Sequence, residues 1–130
     1  MLTVFTCGVF DLLHWGHVHF LEQARNLGDR LIVGVNSDDY VVRAKGREPI
    51  FPLRERLLML RALECVTDVM PFCEPDPCRL IERLKPDIVA KGSEYNHSNA
   101  PEAALIEAMG GRFVTIESLP IHTSDILKRI

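Results

Sequence analysis

The stretch Gly8-Val9-Phe10-Asp11-Leu12-Leu13-His14-Trp15-Gly16-His17 follows directly on the apolar, β-prone residues 2–6. This order predicts a strand, a glycine-containing turn and a helix start that carries His14 and His17. The amino end of a helix offers backbone N–H groups and the positive end of the helix dipole, which favour a phosphate. We therefore expect the two imidazoles to flank a bound phosphate and to donate hydrogen bonds to its oxygens.

Two histidines at this spacing have other possible roles, as metal ligands or as helix residues satisfied by carbonyl groups. No third ligand stands nearby at zinc-like spacing, and Gly16 between them is unfavourable inside a helix. Asp11 could orient a histidine or contact Mg²⁺, but an aspartate near a helix start is often only a favourable charge. The surrounding residues favour the phosphate site.

Length and composition narrow the class of protein. The chain has 130 residues, enough for one compact domain. Its net charge of −3 argues against a general nucleic-acid binder, which needs a basic surface. No apolar run approaches the roughly 20 residues of a membrane span, and no signal peptide is recognisable, so we expect a cytoplasmic protein without a membrane partner. Four cysteines are too few for a disulfide scaffold, so reduced thiols are expected.

Short apolar runs alternate with segments of helical spacing along the rest of the chain. Runs without polar alternation are typical of buried parallel strands, and the order predicts a β-α-β-α series. Predicted strands after the first cover residues 30–36, 67–72, 87–91 and 112–116, and predicted helices cover 18–27, 53–64, 78–84, 101–109 and 123–129. We expect an α/β fold in which residues 1–130 form a single Rossmann-like domain, with an open parallel five-stranded sheet and helices on both faces.

The loops that follow the predicted strands collect the polar residues. In an open parallel sheet, ligands bind in the crevice beyond the carboxyl ends of the strands. The longest irregular segment, residues 43–52, is predicted to be a basic, glycine-containing loop of this kind. The residues that these loops bring to one edge are His14, His17, Lys45, Arg47, Lys91, Gly92, Thr123 and Ser124.

The histidine stretch resembles the signature of the cytidylyltransferase-like nucleotidyltransferases. Residues 36–38, 43–46, 52–56 and 91–95 fit the same family in order, so the resemblance covers essentially the whole domain. Lys91-Gly92 with Tyr95, and Pro101-Glu102-Ala103 before Gly110-Gly111, most resemble the adenylyltransferase domains that convert heptose 1-phosphate to ADP-heptose. Glycerol-3-phosphate cytidylyltransferases are the next most similar group.

The resemblance implies that a phosphate oxygen of an acceptor attacks the α-phosphorus of a nucleoside triphosphate and expels pyrophosphate, with Mg²⁺ held through the triphosphate and not by protein side chains. Positioning and charge neutralisation suffice for an already ionised nucleophile. By the resemblance His14, His17 and Lys45 are catalytic, Arg47 and Arg79 are candidates for the acceptor phosphate, and the protein is a homodimer. The implied nucleotide-binding residues are Thr6, Gly8, Val9, Phe10, Gly16, Lys91, Gly92, Ile121, His122, Thr123 and Ser124.

Two departures from the family pattern concern the acceptor. His122 stands where the family has a serine, and residues 117–120 lack the arginine of the cytidylyltransferase pattern, which argues against glycerol 3-phosphate. The alternatives are a CTP-dependent enzyme for glycerol 3-phosphate or another small organic phosphate or phosphonate, and a nucleotide-binding module without transfer activity. The presence of His14, His17, Lys45 and Lys91 argues against the inactive module.

Overall fold

The computed structural model describes residues 1–117, 119 and 123–130, without the side chain of Thr123. Five strands form one sheet in the order β3-β2-β1-β4-β5, and all of its neighbouring strands are parallel. The predicted α/β fold is therefore confirmed. The strands are β1 Thr3–Gly8, β2 Arg30–Asn36, β3 Asp68–Phe72, β4 Ile88–Gly92 and β5 Arg112–Ile116.

Helices cover both faces of the sheet. The helices are α1 Trp15–Arg25, α2 Asp38–Lys45, α3 Leu53–Arg61, α4 Cys78–Leu84, α5 Pro101–Ala108 and α6 Thr123–Leu127. Leu21 of α1 and Leu60 of α3 pack in the apolar cluster on one face, and Ile81 of α4 and Ile106 of α5 pack in the cluster on the other. Among the described residues, no helix has the length and apolar character that crossing a membrane would require.

The central strand is buried on both sides. Val4 belongs to the cluster under α1 and α3, and its neighbour Phe5 belongs to the cluster under α4 and α5. Successive side chains of a strand point to opposite faces, so a strand covered on both faces reads as a continuous apolar run. This is why the runs lack polar alternation.

The strand order reverses between β1 and β4. The chain passes from β1 outward to β2 and β3 and then returns through α4 to β4, on the other side of β1. In such sheets the crevice beyond the carboxyl ends at the reversal point is where ligands bind. The residues that follow Gly8 and Gly92 border this point.

Helix α2 was not predicted, and the prediction that Lys45 lies in a loop is wrong. Lys45 is the last residue of α2, and Gly46 ends the helix in the left-handed conformation at φ 70°. Two sequence signals for this helix are present. Ser37 caps its amino end by accepting a hydrogen bond from the Tyr40 amide, and Gly46 is the residue type that most often ends a helix this way.

Candidate active site

The two histidines cap the helix on which they lie. His14 is the N-cap of α1, and its Nδ1 accepts a hydrogen bond from the Gly16 amide at 3.1 Å. His17, in the first turn, accepts a hydrogen bond at Nδ1 from the His14 amide at 3.3 Å. The expectation of free amides here is therefore wrong for Gly16 and His14, because imidazole nitrogens already occupy them.

This capping decides where each ring carries its proton. A neutral imidazole has one donor and one acceptor nitrogen. Since Nδ1 accepts in both His14 and His17, the proton of each neutral ring lies on Nε2. The rings stack with their centroids 3.9 Å apart and their planes at 21°. The two stacked rings therefore each carry their N–H at Nε2.

His17 is held in the neutral form. Burial, together with the neighbouring charges of His14 and Lys45, lowers the pKa of His17 from 6.5 to about 4. The ring of Phe10 packs edge-on against His17, with centroids 5.4 Å apart. The electrostatic effect of Lys45 also shows that the end of α2 lies near the histidine pair, so the structure brings the three predicted catalytic residues together.

The turn between β1 and α1 has a specific backbone shape. Phe10 adopts a left-handed conformation with φ 49°, which is uncommon for a residue with a side chain. A Cβ at Gly8 would lie 3.0 Å from Cε2 of the Phe10 ring, so any larger residue would require this ring to shift. Strained conformations of this kind cluster at functional sites. Gly8 and Phe10 thus shape the turn that leads to the histidines.

Thr6 does not belong to this turn. It lies within β1, paired with Val33, and its side chain is fully buried. The nucleotide contact of Thr6 stays a prediction. Its hydroxyl oxygen has no hydrogen-bond partner among the described residues.

Asp11 anchors the segment that follows α2. Its carboxylate accepts hydrogen bonds from the amides of Ile50 and Phe51, both at 2.9 Å, and from the Arg47 guanidinium at 3.4 Å. Burial alone would raise the pKa of Asp11, but these hydrogen bonds outweigh it and hold the pKa below 3.8. Asp11 therefore orients neither histidine in the described contacts. It ties the Arg47 segment to the histidine turn.

Lys91 lies on the other side of β1. Its ammonium donates to the carbonyl oxygen of Cys7 at 3.2 Å and lies 4.3 Å from the centre of the Tyr95 ring. Burial disfavours the charged form, but Cys7, Tyr95 and Glu102 outweigh it and raise the pKa of Lys91. Lys91 is only 7% exposed. A ligand would reach this charge past Tyr95, in the crevice between β1 and β4.

The remaining predicted residues fall into three groups. Gly92 ends β4, where its carbonyl accepts from the Tyr95 amide at 3.1 Å. Arg79 is exposed in the first turn of α4, and Ser124 is exposed in α6. Ile121 and His122 lie outside the described residues, as does the Thr123 side chain.

Two residues not predicted to serve the site carry charge close to it. Arg56, within residues 52–56 that fit the family pattern, is buried in α3 and donates a hydrogen bond to the Val9 carbonyl at 2.8 Å. Glu102, in the first turn of α5, is buried and interacts electrostatically with Lys91. An arginine at the start of a helix is ordinarily exposed, so the sequence alone does not indicate that Arg56 is buried. Its burial becomes visible only when the folded chain brings distant segments around it.

The donor set suits anions better than metals. Nowhere in the described ranges, residues 1–117, 119 and 123–130, do three His, Cys, Asp or Glu side chains meet as a metal site would require. The imidazole donors and the ammonium groups of Lys45 and Lys91 are complementary to phosphate oxygens. These donors therefore fit a phosphate group.

The sequence and the fold match known proteins over nearly the whole chain. A cytidylyltransferase-like family model matches residues 5–129. The D-beta-D-heptose 1-phosphate adenylyltransferase of Bordetella bronchiseptica is 47% identical over 115 residues, which cover 87% of this chain and 71% of that protein. A Thermoplasma volcanium structure, described as a lipopolysaccharide core biosynthesis protein, superposes with a TM-score of 0.79 at 32% identity and covers 92% of this chain and 98% of that one.

Longer relatives contain this domain as one part. The bifunctional protein HldE of Helicobacter hepaticus is 46% identical over 132 residues, which cover 96% of this chain but 27% of that protein. The chain thus spans about a quarter of the length of such relatives. The family model and the heptose 1-phosphate adenylyltransferase confirm the resemblance carried by the histidine stretch. The chain belongs to the cytidylyltransferase-like family of nucleotidyltransferases.

Proposed function

We propose that this protein transfers AMP from ATP to a heptose 1-phosphate, forming ADP-heptose and releasing pyrophosphate. The observation that carries the proposal is the stacked pair His14 and His17, whose Nε2–H groups and nearby Lys45 form one anion-binding unit. The 47% identity to the Bordetella bronchiseptica heptose 1-phosphate adenylyltransferase supports the choice of substrates.

The histidines stabilise charge that develops on the triphosphate. As the acceptor oxygen attacks, negative charge accumulates on the oxygens around the α-phosphorus and on the departing pyrophosphate. Two preorganised donors are worth a few kcal/mol each when they point at such oxygens. Lys45 neutralises phosphate charge from the end of α2, and its position follows from the helix end at Gly46.

The nucleotide side of the site is the crevice between β1 and β4. The turn from Gly8 to Phe10 and the end of β4 at Lys91 and Gly92 border it. Gly16, whose amide is bound to His14, acts by supporting the histidine and not by a free N–H. We include Ile121, His122, Thr123 and Ser124 in the nucleotide site on the resemblance alone.

The acceptor phosphate meets Arg47 or Arg79 in this proposal. Arg47 donates to the Asp11 carboxylate at 3.4 Å, which two amides already satisfy, and to the Glu48 carbonyl at 3.2 Å, so an incoming phosphate competes with two long contacts. Arg79 has no hydrogen bond or ion pair within the described part of the chain and extends from the start of α4. Arg47 is the better candidate because Asp11 ties its segment to the histidine turn.

Mg²⁺ is part of the proposal as a partner of the triphosphate. Bound to phosphate oxygens, it would neutralise charge and orient the triphosphate. The chain itself contributes cationic groups and N–H donors to the phosphates. Asp11 is not assigned to the metal, because each of its carboxylate oxygens accepts a hydrogen bond from a backbone amide. Titrating Mg²⁺ against a fixed ATP concentration should give activity that rises with the Mg²⁺–ATP complex.

Pyrophosphate release tests the function. The purified protein is incubated with Mg²⁺ and either ATP or CTP, with heptose 1-phosphate, glycerol 3-phosphate or no acceptor. We expect release with ATP and heptose 1-phosphate. Release only with CTP, or nucleotide binding without turnover on any acceptor, would contradict the proposal.

Replacing His17 tests its assigned role. We expect His17→Ala to lower kcat at least about a hundredfold, on the order of 2.7 kcal/mol of transition-state stabilisation, because one of two aligned donors is lost. His19→Ala is the control, since His19 lies on the same helix outside the stacked pair. A folded His17→Ala protein with near-normal turnover would remove His17 from the mechanism.

We also propose a homodimer in the cytoplasm, as the resemblance implies. Leu58 and Met59 on α3 are 52% and 53% exposed, although they are large and apolar. Large apolar side chains grouped on one surface favour contact with another protein. The exposed face of α3 is the surface that we assign to this dimer.

A further inference from the structure

One buried guanidinium joins four segments of the chain. Arg56 donates from Nε to the Phe51 carbonyl at 3.0 Å and from Nη1 to the carbonyls of Val9 and Asn36, both at 2.8 Å. Its Nη2 pairs with the Asp38 carboxylate at 2.6 Å. The Arg56 side chain has no exposed surface, so it cannot itself contact a substrate.

The acceptors lie in the elements that carry the site. Val9 is in the glycine turn that precedes the histidines, and Asn36 is the last residue of β2. Asp38 is the first residue of α2, and Lys45 is its last. Through one rigid group, the glycine turn is therefore bonded to the helix that presents Lys45.

A second set of bonds fixes the remaining segment of this unit. The Phe51 carbonyl accepts from Arg56, while the Phe51 amide donates to Asp11. The peptide groups around Phe51 are thus held between the histidine stretch and α3. The segment that connects α2 to α3 is thereby hydrogen-bonded to Asp11 on one side and to Arg56 on the other.

We propose that Arg56 is a positioning residue for nucleotidyl transfer, which sets the location of Lys45 relative to His14 and His17 by bonding α2 to the glycine turn. This inference rests on the proposed function. It assigns to Arg56 an effect on turnover, beyond the stability that any buried ion pair influences.

Lysine is the informative replacement. It retains the positive charge that faces Asp38, but its ammonium has three donors at a single point. Val9 and Asn36 both accept from Nη1, so one ammonium can still reach their carbonyls, but it cannot also reach the Phe51 carbonyl bound by Nε and the Asp38 carboxylate bound by Nη2. Arg56→Lys therefore keeps the buried charge and cannot hold the turn and Asp38 of α2 at the same time.

The experiment compares full-length Arg56→Lys with Arg54→Lys, an exposed arginine on the same helix. Folding is checked by circular dichroism and thermal unfolding. With ATP and heptose 1-phosphate, we expect Arg56→Lys to lower kcat at least about tenfold, with a much smaller change in the KM for ATP, because positioning affects the transition state most. Arg54→Lys should retain the kcat of the unmodified protein.

A second measurement does not depend on turnover. In an NMR titration of the His17 ring, we expect Arg56→Lys to raise the midpoint from about 4 toward 6.5, because the turn opens and Lys45 moves away. An Arg56→Lys protein that folds with unchanged kcat and an unchanged His17 midpoint would overturn the inference. If the unmodified protein transfers no nucleotide, the proposed function fails, and this titration still tests the link.

Asp38→Asn provides the test if Arg56→Lys does not fold. The Asp38 side chain is 38% exposed, so asparagine is tolerated at this position. The variant removes the negative charge that pairs with Arg56, and the guanidinium keeps its three carbonyl acceptors. We expect kcat to fall about threefold in the folded protein, since one of four bonds is weakened. A folded Asp38→Asn protein with unaltered kcat would overturn the inference.

Discussion

At the scale of single residues, the histidine pair combines two functions in one geometry. The Nδ1 atoms of His14 and His17 replace the serine or aspartate oxygen that usually caps a helix, and this leaves Nε2–H as the donor on each ring. Burial keeps His17 neutral at pH 7. A neutral His17 therefore carries its N–H at Nε2 as a fixed dipole, with the positive charge of Lys45 near it.

This arrangement predicts a pH dependence of stability. The pKa of His17 is about 4 in the folded protein against 6.5 as its ordinary value, so the unfolded chain binds more protons between these limits. The contribution of His17 to stability is complete above pH 6.5 and is lost as the pH falls toward 4. The Tm of the unmodified protein should fall more than that of His17→Gln between pH 7 and pH 5. An equal fall, or a His17 midpoint near 6.5 in the folded protein, would contradict this.

At the scale of elements, the end of α2 determines where Lys45 lies. Gly46 has φ 70° and Gly110 has φ 90°, and a Cβ at either position would meet nothing within 4 Å. Alanine at each should therefore cost about 1 kcal/mol from backbone strain alone. Gly110→Ala is the matched control for Gly46→Ala, because each glycine ends a helix with a positive φ. Gly46 follows α2, whereas Gly110 follows α5 and precedes the edge strand β5.

We expect Gly46→Ala and Gly110→Ala to lower Tm by similar amounts, while only Gly46→Ala lowers kcat, by several-fold, because Lys45 is displaced. Thermal unfolding and pyrophosphate release measure the two effects. Equal kcat values for both variants would show that the helix end does not position Lys45. If Gly46→Ala lowered Tm and Gly110→Ala did not, backbone strain at positive φ would not explain the loss of stability.

The elements differ in how far their sequence reveals them. The strands at 30–36 and 112–116 were predicted with their observed bounds, because short apolar runs rich in β-branched residues have few alternatives, although only the first of the two is buried. Helix α2 has eight residues, of which one is buried, so its apolar periodicity is too weak to recognise. Helix α1 begins at Trp15 instead of residue 18, because a histidine cap is not among the usual start signals.

At the scale of the whole molecule, the sequence predicted that the site lies at the carboxyl ends of the parallel strands, and the strand order of the sheet reverses next to the histidine turn. What it could not supply are contacts between distant segments. Arg56 bonds to Val9 across 47 positions and to Asn36 across 20. Periodicity and spacing describe local structure, so a residue that connects three elements has the same sequence pattern as an exposed helix arginine.

Assembly of the whole molecule is predicted from the exposed face of α3. A two-fold axis that passes Leu58 in an antiparallel pair of α3 helices would place Glu55 opposite the partner subunit's Arg61, because each lies three positions from Leu58. The same contact occurs twice by symmetry. An apolar centre with oppositely charged ends thus favours a second copy of this chain over an unrelated partner.

Light scattering after size exclusion should give a mass of two 14.7 kDa chains for the unmodified protein. We expect Leu58→Glu with Met59→Glu to give the mass of one chain, because desolvating the introduced carboxylates opposes association. Met109→Glu, at the exposed apolar residue that follows α5, should remain dimeric.

Glu55→Arg should weaken the dimer, and adding Arg61→Glu should restore it, since the exchange re-establishes opposite charges across the axis. A dimer that tolerates both glutamates would place the interface elsewhere, and failure of the charge exchange to restore association would exclude the two-fold axis at Leu58.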